Sequence, residues 1–182
     1  GASLLLEESE VDTLSATAVH LLGGDLRLSA SRITVPRGGR SILAERGSSL
    51  ELRGGELAPL ELTRSDYEIS DSVLIATPIT TEAATALIAR ESRGTITGSV
   101  IRADAQEEHL LLLELQAGRL RLVDSDLLGE AGTGITLLRS RNSEIIIDRG
   151  RLRASGAGSS LCGFAGRDVR VTVPNIVITA TE

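Results

Sequence analysis

The chain has 182 residues, 41% hydrophobic and 24% charged, and its 19 basic and 25 acidic residues leave a formal charge of -6, the composition of an ordinary globular domain. No apolar run approaches the roughly 18 residues that span a bilayer, and scattered arginines on an acidic chain give no basic stripe for nucleic acid. Cys162 is the single cysteine, with only His20 and His109 beside it, so neither an internal disulfide nor a thiolate metal cluster can be built.

Every basic residue is arginine, tryptophan and methionine are missing, and Tyr67 and Phe164 are the only phenyl-type rings; the core must be aliphatic. The chain opens Gly-Ala-Ser and stops just after an apolar alternation, which reads as a single domain over residues 1–182 taken from a larger protein, with flanking domains expected.

From the first residues onward a repeat runs along the chain. Aliphatic anchors stand at Leu6, Leu28, Leu52, Ile69, Ile96, Leu122, Ile147 and Val171, and five residues after each stand Val11, Ile33, Leu57, Leu74, Ile101, Leu127, Leu152 and Ile176. Two residues before the anchors come Leu4, Leu26, Leu50, Tyr67, Gly94, Leu120, Ile145 and Val169. Three residues after them come Ser9, Ser31, Gly55, Ser72, Ser99, Ser125, Gly150 and Pro174. An alternation of period two that bends at a small residue predicts a short strand, a tight turn and a second short strand. A third apolar column, nine residues before the next anchor, holds Val19, Leu43, Leu60, Leu87, Leu113, Leu138 and Cys162 and predicts a third strand per unit. Cys162 is thereby expected to be a buried small hydrophobe, and His20 and His109, at unrelated offsets, to be loop or surface residues.

Anchor spacings of 22, 24, 17, 27, 26, 25 and 24 residues vary because the segment between second and third strands varies. Thr80 to Ala86 and Ala105 to His109 lengthen it, while Ala58-Pro59 alone is left in the shortest unit. Thr81 to Glu91 and Asp104 to Gln116 contain good helix formers, yet their apolar residues cluster rather than recur at helical spacing, so their ends read as strands. Units that cannot bury their inward side chains alone do so by stacking. Eight rungs at about 4.8 Å make a rod of roughly 38 Å.

Two solenoids fit this period. The string Leu120-x-Leu122-x-x-Ser125-x-Leu127 is close to a leucine-rich repeat, but the column where that repeat needs a further leucine holds Gly1, Gly23, Gly47, Arg64, Glu91, Ala117, Asn142 and Gly166. The pattern instead resembles right-handed parallel β-helices, the fold of pectate-lyase-like enzymes and of secreted bacterial adhesin passenger regions. The resemblance is one of fold. It implies an all-β solenoid of about eight rungs, with the leucine-rich-repeat-like solenoid as the alternative.

Stacking turns equal offsets into neighbours, which places Asp124 over Arg149 and Asp126 over Arg151, with Asp148 beside Arg149. Carboxylates on adjacent rungs can form an acid and base pair, and Asp with Arg is how lyases of the resembled fold hold calcium and a uronate; the plainer reading is a ladder of surface ion pairs. Arg27 over Glu51 is the same arrangement, and Arg27 or Arg53 is needed to relieve Glu51 beside Glu68. Glu7, Glu8 and Glu10 guard an open edge. The serine column is expected to hydrogen-bond from turn to turn.

The leading expectation is therefore a non-catalytic structural or adhesive module of a secreted or cell-surface protein, without cofactor, whose partners are a polysaccharide or a surface protein and not nucleic acid. The alternative is a polysaccharide lyase or glycoside hydrolase working at Asp124, Asp126, Asp148, Arg149 and Arg151, the one case that would call for calcium. A cytoplasmic scaffold polymerising through its open rungs is the third.

Overall fold

A computed structural model describes residues 2–78, 83–103, 109–131, 134–156, 161–167, 170–172 and 176–181; side chains at 78, 109, 131, 156 and from 161 onward fall outside that description. The strands follow in turns: β1 (Ser3–Glu7), β2 (Glu10–Asp12) and β3 (Thr17–Leu22); β4 (Asp25–Ser29), β5 (Arg32–Thr34) and β6 (Arg40–Glu45); β7 (Ser49–Arg53), β8 (Glu56–Leu57) and β9 (Leu60–Thr63). Then come β10 (Asp66–Ser70), β11 (Val73–Pro78), the short β12 (Ala84–Thr85) and β13 (Leu87–Arg90), followed by β14 (Arg93–Thr97), β15 (Val100–Ala103) and β16 (His109–Gln116). The last are β17 (Arg119–Val123), β18 (Asp126–Ala131) and β19 (Gly134–Arg141); β20 (Glu144–Asp148), β21 (Gly150–Gly156) and β22 (Leu161–Arg167); and β23 (Arg170–Thr172) with β24 (Ile176–Thr181). Among the described residues there is no helix, and none long and apolar enough to cross a membrane.

First strands stack in parallel in the order β1-β4-β7-β10-β14-β17-β20-β23, and second and third strands do the same on two further faces. The chain is thus an all-β parallel solenoid with three faces, and the leucine-rich-repeat alternative is set aside. It makes about six turns, fewer than the eight rungs expected. Eight strands stack in the first sheet, the last of them, β23, only three residues long.

The lumen is filled by the predicted columns. Leu26, Leu50, Leu120 and Ile145 line one ladder, Leu28, Leu52, Ile69, Ile96, Leu122 and Ile147 the next, and Ile33, Leu57, Leu74, Ile101, Leu127 and Leu152 a third, all buried. Each such aliphatic side chain contributes about 1.5–3 kcal/mol on burial. At Tyr67 the leucine ladder carries a ring, and Gly94 follows it in register. A Cβ on Gly94 would stand 2.3 Å from the ring, so the missing side chain is what makes room for the large one.

Register departs from expectation in three places. In the third column Ile42, not Leu43, aligns with Val19 and Leu60; two adjacent apolar residues left the strand phase open, and a one-residue slip exchanges the faces. Near the end Phe164 aligns with Leu138, while Cys162 lies beside Thr136 and not in the leucine column; its side chain is outside the description. Finally Val171 aligns with Ile145 rather than Ile147, and Ile178 rather than Ile176 with Leu152, shifts of two residues that preserve the face.

The corners explain the remaining columns. Glu8, Ala30, Gly54, Asp71, Gly98, Asp124 and Arg149 all have positive φ between first and second strands, and of the small residues that follow them Ser31, Ser72, Ser99 and Ser125 are buried. Ser72 N donates to Ser99 Oγ at 3.1 Å and Ser99 N to Ser125 Oγ at 3.2 Å, while each hydroxyl donates back to the carbonyl two residues earlier. The expected serine ladder is therefore present. A second one, at the corner between third and first strands, joins Ser65 N to Ser92 Oγ and Gly118 N to Ser143 Oγ. Length variation falls between second and third strands as expected, and in the shortest turn only Ala58-Pro59 separates β8 from β9. The segments that gave helix-like composition end in β13 and β16; residues 79–82 and 104–108 lie outside the description.

Candidate functional site

Residue 124 occupies a positive-φ corner and residue 126 opens β18, so their side chains leave the chain on either side of the inward Ser125. One turn on, Arg149 and Arg151 stand at the equivalent corner. Arg149 binds Asp124 through two parallel bonds, Nε to Oδ1 at 2.7 Å and Nη2 to Oδ2 at 2.8 Å. Its Nη1 also reaches Asp148 at 3.8 Å. Arg151 gives its backbone N–H to Asp126 Oδ1 at 3.0 Å and its Nε to Oδ2 at 3.0 Å, and its Nη2 bonds Oδ2 as well. All five sequence-predicted residues are thus brought together as two inter-rung ion pairs with Asp148 at the side.

Hydrogen bonds from Arg149, opposed by desolvation and aided by the Arg149 charge, hold the Asp124 carboxyl below the usual carboxylate range. The same bonds and charges raise Arg149 above its ordinary value, and Asp126 raises Arg151. Such fork-to-fork pairing suits carboxylate to guanidinium. Calcium takes six to eight oxygen ligands, and carboxylates matched this closely to guanidinium groups do not form such a set. Among the described residues no group of three His, Cys, Asp or Glu is arranged to hold a metal.

A more enclosed charge cluster escaped the sequence reading. On the outside of the third face Glu61, with a side chain 15% exposed, accepts from Arg40 of one neighbouring rung and Arg90 of the other. Burial pushes its carboxyl up, but the bond from Arg90 and the charges of Arg40 and Arg90 outweigh it, and the carboxyl lies below its ordinary range. Arg90 aligns with Thr63, not with Glu61, so the contact is diagonal and no comparison of equal offsets finds it. The expected relief of Glu51 is seen: Arg27 Nε lies 3.2 Å and Arg53 Nη2 3.7 Å from it. His20 is an exposed strand residue 3.1 Å from Glu45. His109 begins β16, four turns away along the chain, and its side chain is outside the description.

The class defined by this geometry is a parallel β-solenoid with an aliphatic lumen and charge-paired outer faces. Compared with known proteins, the chain matches no protein-family model and no curated protein.

Proposed function

We propose that this chain is a non-catalytic structural or adhesive module, a β-helical scaffold of a secreted or cell-surface protein. The observation that carries this reading is the use of its charges. Asp124, Asp126 and Glu61 each spend their oxygens on arginines of an adjacent rung, which ties turns together along a rod. A general acid needs a carboxyl that holds a proton near working pH, whereas Asp124 is held on the ionised side. An arginine base needs a lowered value, and Arg149 is shifted the other way. Sugar rings commonly rest on aromatic faces; Tyr67 is turned inward and buried.

The test is a panel of acidic and neutral polysaccharides, with and without calcium, followed for binding and for chain shortening. Binding without shortening supports an adhesive module, and neither signal supports a spacer. Shortening that disappears in Asp124→Ala and Arg149→Ala overturns the proposal in favour of a lyase or hydrolase.

A further inference from the structure

The outer surface of the first sheet is divided by charge along the rod. Glu51, Asp66 and Glu68 point outward from β7 and β10, and Arg93, Arg119 and Arg121 from β14 and β17, around a trough of about 670 Å³. Arg119 is held by Glu144. Asp66, Glu68, Arg93 and Arg121 are exposed and have no ion pair among the described residues. Arg93 is stacked directly on Arg119, and Glu68 on Glu51. Opposite charges stack at Glu10, Arg32 and Glu56 and at Asp124 and Arg149, whereas on this face like charges gather in two blocks that meet where Asp66 stacks on Arg93.

We infer that this face binds a second copy of the chain, face to face with the rods antiparallel. A two-fold axis running along the strand direction between β10 and β14 lays each strand of one copy on its counterpart across the axis. Asp66 then meets Arg93 of the other copy, Glu51 meets its Arg121, and both contacts occur twice. The parallel arrangement does the opposite: with the axis along the rod, Glu51, Glu68 and Arg121 each face themselves. At the next level out Asp25 opposes Glu144; Arg119 meets Glu144 within the chain, as Arg27 and Arg53 meet Glu51.

Five-residue strands at about 3.3 Å per residue and eight levels at about 4.8 Å give a face of roughly 600 Å². Two such faces bury about 1,200 Å², the lower end for a specific interface. The dimer is accordingly weak and held by charge, with rates and affinity that depend on salt.

Sedimentation equilibrium of the full chain tests this. The expected result is twice the monomer mass at about 10 mM salt, where screening is long-ranged, and monomer at about 1 M, where it is short. Glu51→Arg alone and Arg121→Glu alone are each monomeric at low salt, because each places like charges opposite one another. Mixed in equal amounts they form a heterodimer, since every pair is then opposite in sign. Circular dichroism confirms that each variant is folded. A wild-type chain that is monomeric at low salt, or single variants that fail to pair when mixed, overturns the inference.

Discussion

Replacing Gly94 by alanine is the sharpest probe of how the lumen is filled. The added methyl carbon would lie 2.3 Å from Cδ2 and Cε2 of Tyr67, where carbon contacts need about 3.5–4.0 Å. The ring must retreat by more than about 1 Å inside a stack whose neighbours, Leu50, Ile69 and Leu120, are themselves buried. Overpacking of this kind costs about 1–3 kcal/mol, partly offset by about 0.5–1 kcal/mol from replacing a flexible glycine in a strand. A net loss of about 1–2 kcal/mol lowers the thermal midpoint by roughly 2–8 °C for a chain of this size. Tyr67→Leu removes both the obstacle and a buried hydroxyl that has no hydrogen-bond partner among the described residues, and restores the leucine found at this position in other turns. The double variant Tyr67→Leu/Gly94→Ala is therefore more stable than the sum of the single changes, by about 1–3 kcal/mol in a double-mutant cycle. Thermal denaturation followed by far-ultraviolet circular dichroism measures all four members. Additive effects would show that ring and glycine are independent and refute the reasoning.

Three further outcomes follow from the same geometry. Ser99→Ala removes the acceptor of the buried Ser72 N–H and costs about 1–3 kcal/mol, seen as a lower midpoint and faster hydrogen exchange at the Ser72 amide; exchange unchanged at that amide contradicts the ladder. Because the Glu61 carboxyl is held low in the folded chain, its contribution is present above the ordinary glutamate range and is lost as pH falls through the lowered value; Glu61→Gln costs about 1–3 kcal/mol at neutral pH and flattens the acid limb of the stability profile, and a parallel downward offset at every pH would count against it. Burial raises the phenol of Tyr67 above its ordinary value of about 10, so it favours the folded state below that pH and the advantage disappears as pH rises further. Ultraviolet titration of this single tyrosine should show phenolate only as the chain unfolds, and ionisation of the folded protein near pH 10 would be inconsistent with it.

The solenoid was legible because its interior is one-dimensional. A leucine at one level dictates an aliphatic residue at the next, so Leu28, Leu52 and Ile69 announce themselves by spacing. What spacing could not resolve was phase wherever apolar residues adjoin or alternate: Ile42-Leu43 fits either face, and Val169 and Val171 fit the same one. The column that argued against a leucine-rich repeat has a positive physical meaning. Gly23, Gly47, Arg64, Glu91, Ala117 and Asn142 all take positive φ at the corner before the first strand, and the small residues after them form the second serine ladder. That pattern was present in the sequence, but several non-glycine members hide the backbone signal. The Asp124 and Arg149 pair was readable because it joins equal offsets; Glu61, reached diagonally by Arg40 and Arg90, was not.

The stacking itself is most directly measured with pairs of spin labels on the outward column of the first sheet, in a Cys162→Ser chain at high salt. One label stays at Arg27 and the other moves through Thr95, Arg121 and Ile146, which lie three, four and five levels away. Backbone separations of about 14, 19 and 24 Å, rising by about 4.8 Å per level, are the expected result. Distances that fail to rise with level would contradict the parallel solenoid on which the structural and functional account rests.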